Sequence, residues 1–303
     1  MMKVFVIIVT YNGKEWYDRC FRSLRESTVP VNIIAVDNAS TDGSVEHIRQ
    51  NFPEVTLLPS DKNLGFGQGN NKALRYAIEH DADYVFLLNQ DTWLIDNNAI
   101  ERLVGLSQEH PEYGILSPMH LRANMRELGM LWEDGNNLCS KQLVSDLYCG
   151  TVKDIYETNY VNAAAWMLPR HTIDTIGGFD PIYQHYEEDD DYLNRTRYHG
   201  LKIGVCPSVR IVHDHRKSTI NPFESHSRYH HNQDLLVKLT DLNERRTVSR
   251  HLRYFIRKAL SSLLTLNFSR LTSYNKDILF VLKNCKRVRQ SRLVNAQKSR
   301  AWL

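Results

Sequence analysis

Two groups of carboxylates stand out among the residues whose types and spacing could do chemistry. The first centres on Asp91, which follows Asn89 and Gln90 at the end of the apolar run 84–88. Such a short, uninterrupted apolar run predicts a strand buried on both faces. In open α/β sheets, ligands bind at the carboxyl ends of the strands, where a carboxylate can hold a divalent cation and, through it, a diphosphate. The alternative role for Asp91 is to cap a following turn.

The second group is the acidic run 187–191, which lies between Tyr186 and Tyr192. Carboxylates this close repel one another, a cost that cations or solvent must relieve. A solvated helix start is one interpretation, because the helix dipole favours negative charge there. The flanking aromatic residues favour a functional site instead, and so do Arg195 and Arg197, which can pair with the acids.

The elements that must position these groups alternate between short apolar runs and segments of helical periodicity. Strands are predicted at 4–9, 31–36, 55–58, 84–88, 113–118, 160–168 and 205–212, with helices between many of them. This alternation predicts an α/β fold with a mostly parallel central sheet flanked by helices. The first two strands also end in polar residues, at Thr10 and at Asp37, so several polar strand ends should share one edge of the sheet.

A glycine-rich segment, Asn63–Asn71, precedes a further predicted helix. Glycines let a backbone approach a ligand closely, and a helix start offers free N–H groups to an anion. A dinucleotide fingerprint would need glycine in place of Asn70, directly after an apolar strand, so we reject a nicotinamide site. Binding of another phosphate or sugar remains open, and so does a plain turn.

These motifs, in this order, resemble a family 2 glycosyltransferase, and within that family the bacterial rhamnosyltransferase-like members. The resemblance rests on Val6–Asn12, Val36–Gly43, Asn63–Asn71 and Leu88–Asp91, and it covers roughly residues 3 to 220. It implies a GT-A fold and an inverting transfer from a UDP- or dTDP-sugar, with dTDP-rhamnose as one donor. The implied acceptor is a hydroxyl of a growing cell-surface glycan or of a lipid-linked glycan, and the implied cofactor is Mn²⁺ or Mg²⁺.

The resemblance also implies which residues form the nucleotide-sugar site. These are Thr10, Tyr11, Asn12, Asp37, Asn38, Asn63, Gly65, Asn71, Asn89 and Asp91. In physical terms, Asp37 can accept a hydrogen bond from a pyrimidine imide, and the Tyr11 ring can cover the base. The family's DXD or Asn-Pro-Asp motif is here Asn89-Gln90-Asp91, with one carboxylate, so the cation is expected to arrive with the donor.

The acidic run resembles the family's Glu-Asp-x-Asp-Leu-x-x-Arg motif, with tyrosine in place of the leucine. By that match Asp189 is the general base that deprotonates the acceptor hydroxyl. A register one residue earlier would give this role to Glu188. The resemblance further implies that His213, after the last predicted strand, completes the metal shell with Asp91. His215 is the fallback ligand, and a purely structural histidine is the alternative.

Two residues are expected to contact the acceptor. Asp191 belongs to the acidic run, and Trp166 lies in the apolar run 160–168, whose small residues suggest close packing near the donor pocket. Trp166 could line a sugar site, but a core tryptophan is the favoured interpretation, because tryptophan is on average a highly buried residue. A non-catalytic sugar-nucleotide-binding or scaffolding homologue remains a second class of function, since a fold does not guarantee activity.

Composition bounds the remaining choices. With 303 residues and 42% hydrophobic content, the chain can bury one large core with or without an appendage. Five scattered cysteines without a CxxC pair predict free thiols in a reducing cytoplasm, against a disulfide framework or a zinc site. The N-terminus lacks the pattern of a secretory signal, and no apolar stretch reaches the length that spans a bilayer.

The net charge of +3 conceals an asymmetry along the chain. From residue 241 onward there are 15 Lys and Arg against 3 Asp and Glu, whereas residues 1–240 hold 23 basic and 32 acidic residues. We therefore predict a GT-A domain at 1–240 and a basic helical extension at 241–303. This extension packs on the body or contacts an anionic membrane surface from the cytoplasmic side. No nucleic-acid-binding motif accompanies the charge, so nucleic acid is not an expected partner.

Overall fold

A computed structural model describes residues 2–129, 141–214 and 228–303. The strands are β1 Val4–Thr10, β2 Val31–Asp37, β3 Thr56–Leu57, β4 Tyr84–Leu88, β5 Thr92–Leu94, β6 Tyr113–Leu121, β7 Tyr156–Glu157, β8 Ala165–Pro169 and β9 Lys202–His213. The helices are α1 Lys14–Arg25, α2 Ser44–Asn51, α3 Gly65–Glu79, α4 Ala99–Glu109, α5 Lys141–Cys149, α6 Arg170–Ile176, α7 Glu188–Tyr198, α8 Arg228–Thr240, α9 Thr247–Leu264 and α10 Phe268–Asn295. His215, the fallback metal ligand, lies outside the described residues.

The strands form one sheet in the order β3-β2-β1-β4-β8-β6-β9-β5, with β7 paired to β9. The α/β fold flanked by helices is confirmed, but the sheet is mixed rather than mostly parallel. Its first four strands are parallel, because helical connections return the chain to the same edge each time. β8 instead begins beside Leu88, at the edge where β4 ends, and therefore runs antiparallel to β4 and β6.

The core lies on both faces of this sheet. Alternate residues of β1 point to opposite sides: Val4, Val6 and Ile8 join the cluster that includes α1, while Phe5 and Ile7 join the cluster that includes α3. This explains why β1 reads as an unbroken apolar run, since a strand covered on both faces has no polar side. The buried apolar run of β1 ends at Thr10, where the chain leaves the sheet and polar residues begin.

A third core cluster joins the C-terminal helices to the body. Leu235 and Leu239 from α8, Phe255 from α9, and Val281 and Val288 from α10 are buried in it. The predicted helical extension is thus confirmed as a structural feature, while the boundary at 240/241 stays a prediction, because α8 precedes it and packs with α9 and α10. In the described ranges, no helix has the length and apolar character that crossing a membrane requires.

Candidate active site

The ends of β1 and β2 form the first part of the site. The parallel register pairs Thr10 with Asp37, so the two side chains are neighbours. The Asp37 carboxylate accepts hydrogen bonds from the Thr10 hydroxyl at 3.2 Å and from the Ser40 amide and hydroxyl at 2.9 and 2.6 Å. Asp37 is almost fully buried, so in this conformation it shapes the loop after β2, and its contact with a base stays a prediction.

The loop after β1 is tied to the loop after β2. Asn12 has a left-handed φ of 46°, which asparagine tolerates better than most residues. Its side-chain oxygen accepts a hydrogen bond from the Thr41 backbone amide at 2.8 Å. Its backbone amide donates to the Ser40 hydroxyl at 3.0 Å. Tyr11, beside it, is exposed. The loop after β1 therefore presents an exposed aromatic ring, and its contact with a base stays a prediction.

Gln90, the residue that departs from the family motif, has a structural role. Its side-chain oxygen accepts from the Tyr11 amide at 2.9 Å, and its side-chain nitrogen donates to the Tyr11 carbonyl at 3.1 Å. The side chain also lies against Gly13 so closely that a Cβ at that position would clash with it. Gln90 thus fixes the Tyr11 loop from the neighbouring strand end, and Asp91 remains the carboxylate that faces the cavity.

Two of the predicted nucleotide-sugar residues, Asn38 and Asn63, bind protein backbone through their side chains. Asn38 accepts from the Leu64 amide at 3.2 Å and donates to the Gly65 carbonyl at 3.2 Å, and Asn63 accepts from the Gly65 amide at 2.8 Å. Both asparagines therefore shape the turn that begins α3. Gly65 has a φ of 76°, and an added Cβ would lie 2.5 Å from the Gln184 carbonyl, so only glycine fits there.

The expectation for Asn71 is corrected by its position. This residue is fully buried, and its amide group donates to the Phe179 carbonyl at 2.8 Å and accepts from the Phe179 amide at 2.7 Å. Since both ends of the side chain are used within the core, Asn71 braces the loop before the acidic run and does not face a ligand. The two motifs that contain Asn71 and the acidic run are therefore physically joined.

Asp91 and His213 come together through the sheet. The antiparallel pairing of β5 with β9 places Thr92 opposite His213, and the Asp214 amide donates to the Asp91 carbonyl at 2.9 Å. The Asp91 Oδ1 and His213 Nε2 atoms are 3.5 Å apart. This spacing and the oxygen–nitrogen donor pair fit two adjacent ligands of Mn²⁺ or Mg²⁺. The residues that the structure describes contain no group of three or more such ligands, so phosphate oxygens and water would supply the others.

A buried histidine next to this pair was not anticipated. His120, near the end of β6, lies with its ring 6.0 Å from the His213 ring and within 3.3 Å of the Ser117 hydroxyl. Burial, together with the neighbouring His213, lowers the pKa of His120 to about 3, so it is neutral at physiological pH. A polar residue at a strand end was the available signal for it in the sequence.

Two residues of left-handed backbone lie where the acidic run starts: Tyr186, just before the run, at φ 66° and Glu187, its first residue, at φ 69°. Consecutive non-glycine residues in this region are strained, and such strain concentrates at functional sites. The turn brings Glu188, Asp189 and Asp190, at the start of α7, into one cavity with Asp91 and His213. The cavity has a volume of about 510 Å³. Asn89, Tyr160, Asn162, His185 and Phe66 line it as well.

The carboxylates of the run are difficult to ionise together. Burial raises the pKa of Glu188 to about 7, and the Asp189 charge adds to this effect. Burial also raises the pKa of Asp189. The pKa values of Glu187 and Asp190 rise through burial and through the charges of neighbouring carboxylates, Asp189 and Asp234 among them. Asp234 of α8, which sequence reasoning missed, contributes to this repulsion. A carboxylate with a raised pKa is suited to accept a proton from a hydroxyl near neutral pH.

Glu188 has a further property that Asp189 does not share. It is 6% exposed, and among the described residues its Oε2 atom has no hydrogen-bond partner. Its side chain packs against Gly67, at the start of α3. A buried carboxyl oxygen without a partner costs stability, so this atom is available to a ligand hydroxyl. Both registers of the motif therefore place a carboxyl group in the cavity.

The two predicted acceptor-binding residues do not line the cavity, so their contact with an acceptor stays a prediction. Trp166 is fully buried in the core, where its ring stacks on Phe179 and is tilted against Tyr192. Asp191 is 2% exposed and pairs with Arg195 at 2.8 Å, and it is not among the residues that line the cavity. Burial raises the pKa of Asp191 to about 6 and outweighs the attraction of Arg195. Both residues support the site from the core.

Helix α10 anchors the loop that leads to the acidic run. Asp180 is buried and accepts hydrogen bonds from the Ser291 hydroxyl at 2.6 Å and the Asn295 amide group at 2.7 Å. The Gly178 amide donates to the Ala301 carbonyl at 2.8 Å. The C-terminal helices therefore help to position the loop that leads to Glu188 and Asp189, a contact between distant segments that no local pattern in the sequence indicates.

Comparison with known proteins shows which sequences this chain is similar to. Residues 5–131 match the model of the family described as Glycosyl transferase family 2. A curated relative, the N-acetylglucosaminyl-diphospho-decaprenol L-rhamnosyltransferase of Mycobacterium tuberculosis, is 27% identical over 259 residues, which are 75% of this chain and 80% of the relative. The predicted resemblance is confirmed: residues 5–131 match the family 2 glycosyltransferase model, and the chain is similar to bacterial rhamnosyltransferases.

Solved structures show the same fold at low sequence identity. S. aureus TarS 1–349 in complex with UDP-GlcNAc has a TM-score of 0.62 at 13% identity and covers 97% of this chain and 89% of TarS 1–349. The mannosyltransferase PcManGT from Pyrobaculum calidifontis, in complex with GDP-Man and Mn²⁺, has a TM-score of 0.55 at 18% identity. The match covers 83% of this chain and 64% of PcManGT. The GT-A fold is thereby confirmed.

Proposed function

We propose that this protein is an inverting, metal-dependent glycosyltransferase that moves a sugar from a UDP- or dTDP-sugar to a hydroxyl of a lipid-linked glycan. One observation carries the proposal: a single cavity contains both the Asp91–His213 pair and the carboxylates Glu188 and Asp189. Group transfer by direct displacement needs charge stabilisation at the leaving diphosphate and a base at the attacking hydroxyl. The two centres supply one function each.

The chain's own residues divide the reaction as follows. Asp91 and His213 would hold a divalent cation, which supplies Lewis-acid stabilisation of the leaving diphosphate. Asp189 takes the proton of the acceptor hydroxyl as that oxygen attacks the anomeric carbon. The bond between that carbon and the diphosphate oxygen breaks in the same displacement, so the anomeric configuration inverts. Glu188, with its unpartnered Oε2, binds a hydroxyl of one of the two sugars.

The nature of donor and acceptor rests on the relatives and on the loops. The exposed Tyr11 ring offers a surface for the base, and the similarity to a rhamnosyltransferase favours dTDP-rhamnose as the donor. That relative's name specifies a diphospho-decaprenol acceptor, which supports a lipid-linked glycan here. An enzyme that acts on such an acceptor works at a membrane surface, and the basic C-terminal region suits the anionic inner face.

Ligand-dependent thermal stability tests the proposal directly. We expect UDP- or dTDP-sugars with Mn²⁺ to raise the melting temperature, because a ligand that binds only the folded state stabilises it. Adenosine and guanosine diphosphate sugars serve as controls. Transfer is then measured with the stabilising donor and a lipid-linked acceptor. Stabilisation without transfer to any acceptor would favour a non-catalytic sugar-nucleotide-binding protein, and no stabilisation by any nucleotide-sugar would contradict the proposal.

We expect the Asp91→Ala variant to lose the effect of metal on donor binding. The substitution leaves His213 as the remaining protein ligand, and one imidazole holds Mn²⁺ weakly. Donor affinity is measured by calorimetry with and without Mn²⁺. The control is Asp96→Ala, because Asp96 lies just beyond β5, at the protein surface, and pairs with Arg210. If Mn²⁺ raises donor affinity equally in Asp91→Ala and in the wild type, Asp91 does not bind the metal.

A further inference from the structure

The hairpin of α9 and α10 ends in an exposed apolar tip. The tip consists of Leu263, Leu264, Leu266 and Phe268, which lie at the end of α9, in the connection and at the start of α10. Leu264 is 85% exposed, Leu266 71% and Phe268 63%. Contiguous exposed apolar side chains are unusual on monomeric proteins and mark interaction sites. This surface lies outside the cavity that carries the proposed chemistry.

The tip extends beyond the core that holds the helices in place. Between residues 256 and 276, all within the described part of the chain, the buried side chains are Ala259 and Ser262. The large apolar residues that anchor the hairpin, Phe255 and Val281, lie further from its end. The tip is therefore not a loosely packed part of the core. It is a projection whose apolar side chains face solvent.

One apolar residue of the tip, Leu266, occupies a backbone conformation that disfavours leucine. Leu266 follows the C-cap residue of α9 and has a left-handed φ of 52°. Glycine, or asparagine, is favoured at this position because other side chains are strained there. A leucine that is both strained and exposed does nothing for the stability of the isolated fold. The position is therefore explained by a partner that takes up the side chain.

The charges around the tip identify the class of partner. Residues 247–276 contain six Lys and Arg and no Asp or Glu. These basic residues, named the basic collar here, are Arg250, Arg253, Arg257, Lys258, Arg270 and Lys276, and all are exposed. Arg250 pairs with Glu244, whereas the described residues provide no ion pair for the other five. An apolar tip on two helices that carry largely unneutralised positive charge along their exposed sides is complementary to an anionic lipid surface.

We propose that the apolar tip inserts into the interface of an anionic phospholipid bilayer while the basic collar contacts the lipid headgroups. A second copy of the chain is a poor occupant, because its own collar would oppose docking through like-charge repulsion. The proposal goes beyond the transferase chemistry, since it assigns membrane attachment to four side chains that are distant in sequence from every residue of the cavity. The C-terminal helices then both position the base and hold the enzyme at the surface where a lipid-linked acceptor resides.

Vesicle co-sedimentation of the full-length protein tests the insertion. We expect binding to phosphatidylcholine vesicles that contain phosphatidylglycerol and little binding to phosphatidylcholine alone, with a decrease as salt rises. The double variant Leu264→Ser/Phe268→Ser should bind the anionic vesicles more than about tenfold more weakly, because each buried CH₂ group contributes to partitioning. The matched control is Leu293→Ser, since Leu293 is also exposed but lies near the other end of α10.

The Leu266→Asn variant separates a membrane role from a structural one. Asparagine relieves backbone strain, so this variant should unfold at the same or a higher denaturant concentration than the wild type. It should nevertheless bind anionic vesicles more weakly. A merely structural leucine would give the opposite result, with lower stability and unchanged vesicle binding.

Three results would overturn the proposal. Binding to anionic vesicles that the double variant retains in full would show that the collar acts without insertion. Equal loss of binding in Leu293→Ser would show that the tip is not special. A wild-type protein that is dimeric by light scattering, and monomeric as the double variant, would assign the tip to a second copy. These results are independent of donor binding, which the thermal-stability measurement tests separately.

Discussion

We expect Asp189→Asn to lower turnover by about 10²–10⁴-fold while donor affinity stays near that of the wild type. Asparagine keeps the shape and hydrogen bonding of the side chain and removes its basicity. The donor side of the cavity, with Asp91 and His213, is untouched by this change. Turnover is measured at saturating donor and acceptor, and donor affinity is measured by calorimetry with Mn²⁺.

The neighbouring carboxylate provides the control for this prediction. Glu188→Gln removes one charge from the same cavity, keeps a hydrogen-bonding group at the position of the unpartnered oxygen and should cost less in turnover. A larger loss in Glu188→Gln than in Asp189→Asn would shift the register of the motif by one residue and make Glu188 the base. Full activity in both variants would leave the acidic run as a solvated helix start.

The pH dependence of kcat/KM follows from the same carboxylates. Burial raises the pKa of Asp189, with Glu187, Asp190 and Asp234 as charged neighbours in the cluster. The base acts when it is ionised, so activity is present above its pKa and falls as the pH drops through it. We therefore expect an acid limb of the profile that lies above the ordinary range of an aspartate. The limb should disappear from the residual activity of Asp189→Asn.

The second large effect is expected for stability. Arg195 is buried, and it donates to the Asp191 carboxylate at 2.8 Å, to the Ile176 carbonyl at 2.8 Å and to the Gly178 carbonyl at 2.9 Å. Arg195→Met would leave a buried carboxylate and two carbonyl groups without these donors. Removal of one member of a buried ion pair costs about 3–5 kcal/mol, so we expect a decrease of this size in the free energy of unfolding at pH 7.

The control for this prediction is an ion pair at the surface. Arg210→Met removes an exposed partner of Asp96, and such pairs contribute about 0–1 kcal/mol. The deficit of Arg195→Met should also shrink as the pH falls, because protonation removes the uncompensated charge of Asp191, whose pKa burial already raises to about 6. Urea unfolding at several pH values measures both effects. A loss in Arg195→Met no larger than that in Arg210→Met would contradict a structural role for the pair.

The gathering of polar residues at one edge of the sheet could be predicted from the sequence for a simple physical reason. Polar residues that follow apolar runs lie at strand ends, and the parallel strands β1, β2 and β4 bring those ends to one edge. The sequence also contained the information that Asp189 and Asp191 have different surroundings. Asp191 and Arg195 are spaced as i and i+4 on α7, which places their pairing on one face of the helix.

The remainder depends on contacts that local patterns do not encode. β8 is buried on both faces, so its sequence has no alternation that would show whether Trp166 faces the core or a ligand. His120 reaches His213 only through the pairing of β6 with β9. Asp234 reaches the acidic run from a helix that follows it by many residues. Such positions are set by tertiary structure, which a single sequence does not reveal.

The bond from Asn295 to Asp180 also has a consequence for the way in which the protein is made. The two residues are separated by 115 positions, so a ribosome that adds about 5–20 residues per second needs roughly 6–23 seconds to supply the second after the first. While α10 is still being synthesised, strands β1 to β4 are already complete, whereas the buried Asp180 still lacks its partners. We expect nascent chains stalled before α10 to bind a nucleotide-sugar yet remain open to proteolysis at the loop that precedes the base.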